Sequence, residues 1–238
     1  RLFTGRGFPE LADEVATELG IPLTPTSAYD FANGEIFVRF EESVRGCDAF
    51  VLQSHSTPVN KQIMEQLIMV DALKRASAKR ITVIAPFLGY ARQDREFLPG
   101  EVVTMKVIAK LFKSVGASKI IVVDIHSMIG LKYFNIKSKN VTAIPDLAKY
   151  FSRLKLKNPL VVSPDHGGKE RAKEFAKFLK TDYIILEKQR DRKTGKVEIK
   201  STNFDDVIGK DLILVDDMIS TGGSIIKSTE FLKKQKCK

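Results

Sequence analysis

Short apolar runs rich in β-branched residues alternate along this chain with stretches of helical periodicity, and this alternation limits the possible folds most strongly. Each run is almost continuously apolar, which is typical of strands buried on both faces. Strand–helix alternation predicts the α/β class, with a mostly parallel sheet that carries helices on both faces. The predicted strands are residues 50–53, 81–85, 120–123, 160–162, 183–186 and 212–215.

Apolar residues at helical spacing lie between these runs and predict four helices with core-facing stripes. A fifth helix, at 147–151, follows a connector at 143–146. The stripes are Leu11, Val15 and Leu19; Ile63, Leu67 and Val70; Ile108, Leu111 and Val115; and Ala172, Phe175, Ala176 and Leu179.

The connector that contains Pro145 predicts a domain boundary. The two halves of the chain echo each other, because residues 120–124 and 212–216 are both apolar runs that end in Asp before a polar turn with glycine. We therefore expect two related α/β domains, residues 1–143 and 144–238.

Composition excludes several classes of protein. The 238 residues are 43% hydrophobic and 29% charged, a globular balance, and they contain no apolar run long enough to span a membrane. The first residues do not form a secretion signal, and without an initiator Met we expect trimmed ends. Cys47 and Cys237 have no metal-ligand spacing and cannot form a disulfide framework, so we expect a cytoplasmic protein.

The net charge of +10 leaves two kinds of partner to consider. Basic proteins often bind nucleic acid, but here Lys is spread along the chain and no nucleic-acid motif appears. A positive field also steers small anionic substrates. We expect no nucleic-acid partner and no membrane partner.

The strongest motif is residues 212–224, LILVDDMISTGGS. A buried strand ends in Asp216 and Asp217, and a loop of hydroxyls and glycines leads into a helix. Glycines let backbone N–H groups approach a phosphate, and a helix N-terminus favours an anion. The two carboxylates could accept hydrogen bonds from ribose hydroxyls or face a metal. The loop residues are Ser220, Thr221, Gly222, Gly223 and Ser224.

This motif resembles the phosphoribosyl-diphosphate (PRPP) binding motif of phosphoribosyltransferases and ribose-phosphate diphosphokinases. The resemblance implies two phosphoribosyltransferase-type domains, with ribose 5-phosphate on the loop 220–224 and its hydroxyls near Asp216 and Asp217. The motif alone does not distinguish the two activities.

Two further segments resemble the ATP-binding elements of ribose-phosphate diphosphokinases, which phosphoribosyltransferases lack. Without the resemblance, residues 90–95 would be interpreted as a surface salt-bridge patch. Residues 31–35, which contain Asn-Gly, would be interpreted as a hairpin turn. Arg offers a planar donor fork, Gln a paired donor and acceptor, and Phe a stacking face. The ATP-binding residues implied by the resemblance are Arg92, Gln93 and Asp94, and Phe31, Asn33, Gly34 and Glu35.

Two strand ends carry the residues that match the magnesium ligands of the family. His126 follows the run 120–123, and Asp165 follows the run 160–162. The resemblance implies that they bind the Mg²⁺ of Mg·ATP, although Mg²⁺ prefers oxygen ligands and a His contact to it is unusual. The other two histidines, His55 and His166, receive no role.

The charged segment 187–196 resembles the flexible catalytic loop of the family. Lys188 and Arg190 lie two residues apart and share one side of an extended chain. The resemblance makes Lys188 the catalytic lysine and Arg190 the arginine near the transferred group. Without the resemblance, this segment would be a solvated hairpin tip.

The chain is thus identified as a member of the ribose-phosphate diphosphokinase family. The resemblance implies that it transfers a diphosphoryl group from Mg·ATP to the 1-hydroxyl of ribose 5-phosphate and forms PRPP and AMP. The resemblance implies a homodimer at least, with a hexamer as the larger alternative. Rival interpretations are a phosphoribosyltransferase that consumes PRPP and a non-catalytic PRPP synthetase-associated protein. The associated proteins carry a long insertion in the flexible loop, and none is present here.

The sequence departs from the family pattern in three places. Residues 96–101 lack the arginines of bacterial and animal members and look more like archaeal ones, which puts ADP inhibition and phosphate activation in doubt. Ser224 stands where Thr is usual, with its hydroxyl retained. Family members continue beyond residue 238, so we expect the second domain to be incomplete at its C-terminal end.

Overall fold

A five-stranded parallel sheet forms the centre of the first of two units, Arg1–Val141. The structure is a computed structural model that describes residues 1–190, 197–200 and 207–234. The strand order is β1-β4-β5-β6-β7. These strands are β1 (Leu2–Thr4), β4 (Asp48–Leu52), β5 (Arg80–Ala85), β6 (Lys119–Val123) and β7 (Lys137–Val141).

Helices cover both faces of this sheet because successive strand residues point to opposite sides. Leu52 packs with helix α1 (Pro9–Leu19) in one apolar cluster. Val51, its neighbour on β4, packs on the other side against α2 (Val59–Arg75) and α3 (Thr104–Val115). The short helix α4 (Met128–Leu131) follows β6.

An antiparallel hairpin, β2 (Thr26–Asp30) and β3 (Ile36–Phe40), lies between α1 and β4. Its turn contains Asn33 and Gly34, so the hairpin turn considered for this segment is present. Phe40 packs edge-on against the buried Phe3 at 5.0 Å between ring centroids. The apolar face of β3 thereby ties the hairpin to the core.

The second unit, Thr142–Lys238, is built around the parallel sheet β12-β8-β9. Val161 on β8 packs with α5 and α6, and its neighbour Leu160 packs on the opposite face with Leu232 of α7. A second hairpin joins β10 and β11. The elements are α5 (Ile144–Ser152), β8 (Leu160–Ser163), the 3₁₀ turn His166–Gly168, α6 (Lys169–Leu179), β9 (Tyr183–Ile185), β10 (Glu187–Arg190), β11 (Val197–Lys200), β12 (Leu212–Leu214) and α7 (Gly223–Lys234).

The predicted α/β class, with parallel sheets between helices, is confirmed. All six predicted strands form, with ends that differ by one or two residues. Two stripe residues are wrong as core positions, because Leu19 is 61% and Leu111 40% exposed. In α1 the residues that face the sheet are Ala12 and Ala16, which are small enough to bring the helix close. The predicted connector is partly helical, since α5 already begins at residue 144.

The first unit ends at Val141, whereas the sequence predicted a domain boundary after residue 143. No helix in the part of the chain that the structure describes is long and apolar enough to cross a membrane.

Packing in the core of the first unit can be tested at Phe112 of α3, which is fully buried. Its ring packs against the rings of His55 and Phe134. Phe112→Ala should lower the free energy of unfolding by about 3–5 kcal/mol, because it leaves a cavity. Urea unfolding followed by circular dichroism measures this change. Lys110→Ala, on the exposed side of the same helix, should change it by less than about 0.5 kcal/mol. Equal effects of the two variants would contradict this packing.

Candidate active site

The glycine- and hydroxyl-rich loop predicted to hold a sugar phosphate lies between β12 and α7. Ser220, Thr221 and Ser224 are exposed to solvent. Gly222 has a φ of +76°, a conformation that favours glycine, and its carbonyl accepts a hydrogen bond of 2.8 Å from the Ile226 N–H. The loop therefore presents hydroxyls beside the first free N–H groups of α7, where an anion is stabilised.

Two carboxylates that are partly or largely buried stand immediately before this loop. The Asp217 N–H donates to Asp216 Oδ1 at 3.0 Å, and Arg171 Nη1 lies 3.5 Å from Asp217 Oδ1. Burial raises the pKa of Asp216 to about 6. The side chain of Asp217 and the charge of Asp165 act in the same direction, against the opposing effect of the hydrogen bond from the Asp217 N–H. Carboxylates held this close repel each other, so hydroxyl donors or a cation bound beside them would stabilise their ionised form.

Asp165 leaves the adjacent strand at the same edge of the sheet. Its Oδ1 accepts hydrogen bonds from the Gly167 and Gly168 N–H groups at 2.9 and 3.3 Å, and so it caps the 3₁₀ turn before α6. Ser163 Oγ donates to the Asp165 carbonyl at 2.6 Å. The predicted metal ligand thus has a clear structural role, which fixes the position of its carboxylate.

A loop after β5 carries the second group of predicted residues. Arg92 and Gln93 are exposed, whereas Asp94 is only 3% exposed. Gln93 is held at both ends, since its Oε1 accepts from Thr104 Oγ1 at 2.5 Å and its carbonyl accepts from the Met105 N–H at 3.2 Å. The structure presents Arg92 and Gln93 at the surface and places Asp94 beneath them.

The buried His55 anchors the start of this loop. His55 Nδ1 accepts from the Gly89 N–H at 3.1 Å, so the proton sits on Nε2, which donates to Gln66 Oε1 at 2.8 Å. Gln66 in turn donates to the carbonyls of Val51 and Ile84 at 2.9 and 3.2 Å. Burial lowers the pKa of His55 to about 4, against the opposing effect of the Gln66 hydrogen bond. A neutral imidazole therefore joins the two strands to the loop.

The remaining predicted nucleotide residues form the turn of the β2–β3 hairpin. Asn33 Oδ1 accepts from the Glu35 N–H at 3.1 Å, and the Gly34 N–H donates to the Phe31 carbonyl at 2.8 Å. Phe31 is 46% exposed and packs edge-on against Tyr29 and Phe37. The turn thus offers one exposed aromatic ring on a hydrogen-bonded support.

His126 follows the carboxyl end of β6 in the first sheet, and it is exposed. The backbone before it is fixed, because the Asp124 N–H donates to the Val141 carbonyl at 2.9 Å and the Ile125 N–H to Asn140 Oδ1 at 3.0 Å. His126 belongs to the first unit and Asp165 to the second.

Comparisons with known proteins agree over nearly the whole chain. Residues 1–116 match the N-terminal domain of ribose phosphate pyrophosphokinase, and residues 132–238 match the phosphoribosyl transferase domain. A ribose-phosphate pyrophosphokinase of Streptomyces avermitilis is 46% identical over 231 residues, which are 97% of this chain and 71% of that protein. This chain belongs to the ribose-phosphate pyrophosphokinase family.

Other relatives support the same assignment. The ribose-phosphate pyrophosphokinase of Bacillus subtilis is 42% identical over 94% of this chain and 70% of its own. The crystal structure of phosphoribosylpyrophosphate synthetase from Mycobacterium smegmatis superposes with a TM-score of 0.89, at 45% identity, over 100% of this chain and 77% of that one. The resemblance of residues 96–101 to archaeal members of the family stays a prediction.

The segment that resembles the family's catalytic loop is described in part. Lys188 and Arg190 lie on β10, where their backbones pair with Ile199 and Val197 of β11. Residues 191–196 lie outside the described part of the chain, and the catalytic roles of Lys188 and Arg190 stay predictions.

Membership of the pyrophosphokinase family implies a magnesium ion. Among residues 1–190, 197–200 and 207–234, no group of three or more His, Cys, Asp or Glu could hold a metal ion. Mg²⁺ in nucleotide sites is usually bound by one or two carboxylates, phosphate oxygens and waters. The carboxylate of Asp165 and those of its neighbours Asp216 and Asp217 suit a magnesium ion that binds together with phosphate groups.

Two groups of charged residues that lie beside the candidate site residues were not singled out in the sequence. Arg171, in the first turn of α6, pairs with Asp217. In the sequence, only its position shortly after a Gly-Gly helix start could have pointed to it. Arg6, Asp30 and Glu65 form an ion-pair cluster below the hairpin turn, and no local pattern marks residues so far apart.

His55 makes the stability of the first unit depend on pH. The folded protein binds a second proton on the imidazole only below about pH 4, and the unfolded chain binds it below 6.5. This contribution is therefore complete above pH 6.5 and is lost as the pH falls to 4, with a total of about 3 kcal/mol. Urea unfolding between pH 4 and 7 measures it.

His55→Gln should remove this part of the pH dependence, whereas His166→Gln, a change at an exposed histidine, should retain it. The same pH profile in wild type and His55→Gln would show that His55 is not the titrating group.

Proposed function

We propose that this protein is a ribose-phosphate diphosphokinase that forms PRPP and AMP from Mg·ATP and ribose 5-phosphate. One observation carries the proposal, namely the carboxylate pair Asp216–Asp217 followed by the hydroxyl and glycine loop at the start of α7. It stands in a chain that is 46% identical to a ribose-phosphate pyrophosphokinase.

Ribose 5-phosphate is expected on this loop because each part of the sugar meets a complementary group. The phosphate accepts hydrogen bonds from Ser220, Thr221, Ser224 and the N–H groups of the helix start. The ribose hydroxyls donate to Asp216 and Asp217. Their donation favours the ionised form of Asp216, so sugar binding should oppose the effect of burial, which raises the pKa of this carboxyl.

ATP is expected on residues of the first unit, with the turn 31–35 supplied by the same subunit or by a neighbouring one. Exposed Phe31 offers a face for stacking with the adenine ring, and Arg92 and Gln93 offer donors from a loop whose backbone is fixed. The resemblance assigns Asp165 and His126 as magnesium ligands, and a magnesium ion bound with the phosphates would neutralise charge on the diphosphoryl group.

The reaction is a displacement at phosphorus. The 1-hydroxyl oxygen of ribose 5-phosphate attacks the β-phosphorus of ATP and loses its proton, while the bond from that phosphorus to the oxygen shared with the α-phosphorus breaks. AMP leaves with this oxygen, and the diphosphoryl group stays on the sugar. Such transfers depend on positioning and charge neutralisation, to which Lys188 and Arg190 would contribute two cations.

Phosphorus NMR of the purified protein with Mg·ATP and ribose 5-phosphate tests the proposal. AMP and a sugar diphosphate should appear together, and only when both substrates are present. Formation of ADP would overturn the diphosphoryl transfer. Consumption of PRPP with a nucleobase would identify a phosphoribosyltransferase. No turnover, with stimulation of a catalytic homologue, would identify a regulatory protein.

We also propose that the protein acts in the cytoplasm as a homodimer or a larger homo-oligomer. Exposed apolar side chains at Phe97, Leu98 and Val102, which are 65%, 61% and 69% exposed, support self-association. Sedimentation equilibrium at micromolar protein measures the assembly, and a monomer would contradict it.

Asp216→Asn should weaken the binding of ribose 5-phosphate about tenfold, because a charge-assisted acceptor for the sugar hydroxyls is lost. The Michaelis constant for ribose 5-phosphate measures this effect. Asp211→Asn, at the opposite end of β12, is the control, since Asp211 Oδ2 accepts from the Lys157 N–H at 2.6 Å. A shift of the same size in both variants would argue against a sugar contact at Asp216.

Lys188→Ala should lower kcat by orders of magnitude while the affinity for ATP changes little, because the lysine acts on the transferring group. Steady-state kinetics and nucleotide binding measure the two quantities. Gln189→Ala is the matched control, since adjacent residues on a strand point to opposite faces. A kcat within about twofold of wild type would refute the role of Lys188.

A further inference from the structure

A fully buried carboxylate, Glu65 on α2, organises the loop that follows β1. Glu65 Oε1 accepts from the Arg6 N–H at 2.6 Å and from Gln53 Nε2 at 3.1 Å. Its Oε2 accepts from Arg6 Nε at 2.6 Å and lies 2.5 Å from Arg6 Nη2. A buried charge is costly unless it is paired and hydrogen-bonded, so Glu65 holds the Arg6 guanidinium in one place.

The backbone around Arg6 is equally constrained. The Gly7 N–H donates to Gln53 Oε1 at 3.0 Å, and Ser56 Oγ donates to the Gly7 carbonyl at 3.0 Å. A Cβ on Gly7 would lie 2.4 Å from the Ser54 carbonyl oxygen, which explains the glycine. Arg6 is therefore a fixed cation on the surface of the first unit.

Asp30 uses this cation. Asp30 Oδ1 lies 2.7 Å from Arg6 Nη2, and Asp30 Oδ2 lies 2.5 Å from Lys61 Nζ on α2. Hydrogen bonds from Arg6 and then Lys61 lower the pKa of Asp30. Both carboxylate oxygens are thus engaged, and we call Arg6, Asp30, Lys61 and Glu65 the Asp30 clamp.

Asp30 is the last residue of β2 and immediately precedes Phe31 in the turn. It pairs with Ile36 across the hairpin, whereas the next pair, Tyr29 and Phe37, stacks at 4.6 Å between ring centroids. Since adjacent pairs point to opposite faces, Asp30 faces α2 and the aromatic rings face away. The clamp therefore holds the hairpin at the residue that adjoins Phe31, whose ring is exposed.

The other end of the hairpin has a different anchor. Val38 and Phe40 pack against the apolar core of the first unit, so the end distant from the turn is held by burial. Near the turn Tyr29 and Phe31 are about half exposed. The charged contacts of Asp30 hold the end of the hairpin that apolar packing does not.

We propose that Asp30 is a positioning residue for the nucleotide, and that the Asp30 clamp fixes the orientation of the 31–35 turn against the first unit. This inference rests on the proposed function, in which the turn contacts ATP. Asp30 itself touches no substrate. It acts through Phe31 and the turn, so its loss should weaken ATP binding more than it slows the chemical step.

Asp30→Asn tests the clamp with Asp48→Asn as the matched control. Asp48 pairs with Arg80 Nε and Nη2 at 2.7 and 2.5 Å, and its side chain is 41% exposed against 35% for Asp30. The two changes remove the same charge from the same unit, but only Asp30 adjoins the turn.

In Asp30→Asn the Michaelis constant for ATP should rise about fivefold, with kcat within about twofold of wild type. Amides of residues 31–35 should exchange with deuterium at least about threefold faster, as local opening becomes easier. Asp30→Glu, which keeps the charge, should restore most of both properties. Asp48→Asn should leave both unchanged.

A Michaelis constant and exchange rates within about twofold of wild type in Asp30→Asn would overturn the proposal, as would equal effects in Asp48→Asn. A fall in kcat with no change in the Michaelis constant would also overturn it. If the wild type forms no PRPP, the proposed function fails and the exchange rates alone decide whether the clamp holds the turn.

Discussion

Parallel pairing of neighbouring strands in register is the constraint on which the candidate site depends. In the second unit Leu214 pairs with Val162, so the chains that continue to Asp216 and Asp165 leave the sheet at the same edge. In the first unit Leu52 pairs with Ile84, and the segments with His55 and Gly89 follow at one edge likewise. A parallel sheet collects loop residues there because every strand points the same way.

Polar side chains buried on α2 turn this edge into a rigid support. Gln62, Glu65 and Gln66 are at most 6% exposed, yet each is hydrogen-bonded to a loop or strand end. The cost of burying them is offset only when all partners are in place. The helix therefore determines where the loops at Arg6 and His55 lie, and the exposed functional groups are carried by loops that cannot shift freely.

Local pattern predicted the elements whose signal lies within a few residues. The six apolar runs became strands, and the Asp-Asp loop lies at the start of a helix. Strand β7 was missed because Lys137–Val141 has a single apolar residue and lies at the sheet edge. Leu19 was misplaced because periodicity marks an apolar face without showing where the neighbouring element ends.

By itself the sequence determined the fold class, the six apolar strands and the loops that bear hydroxyls, carboxylates and cations, since these follow from composition over short windows. Only the tertiary structure decided that Arg6, Asp30 and Glu65 meet, that Asp94 is buried and that His55 is neutral. These properties arise from contacts between residues that are distant along the chain and from the exclusion of water around them. Neither the contacts nor the dielectric environment leaves a periodic trace in the sequence.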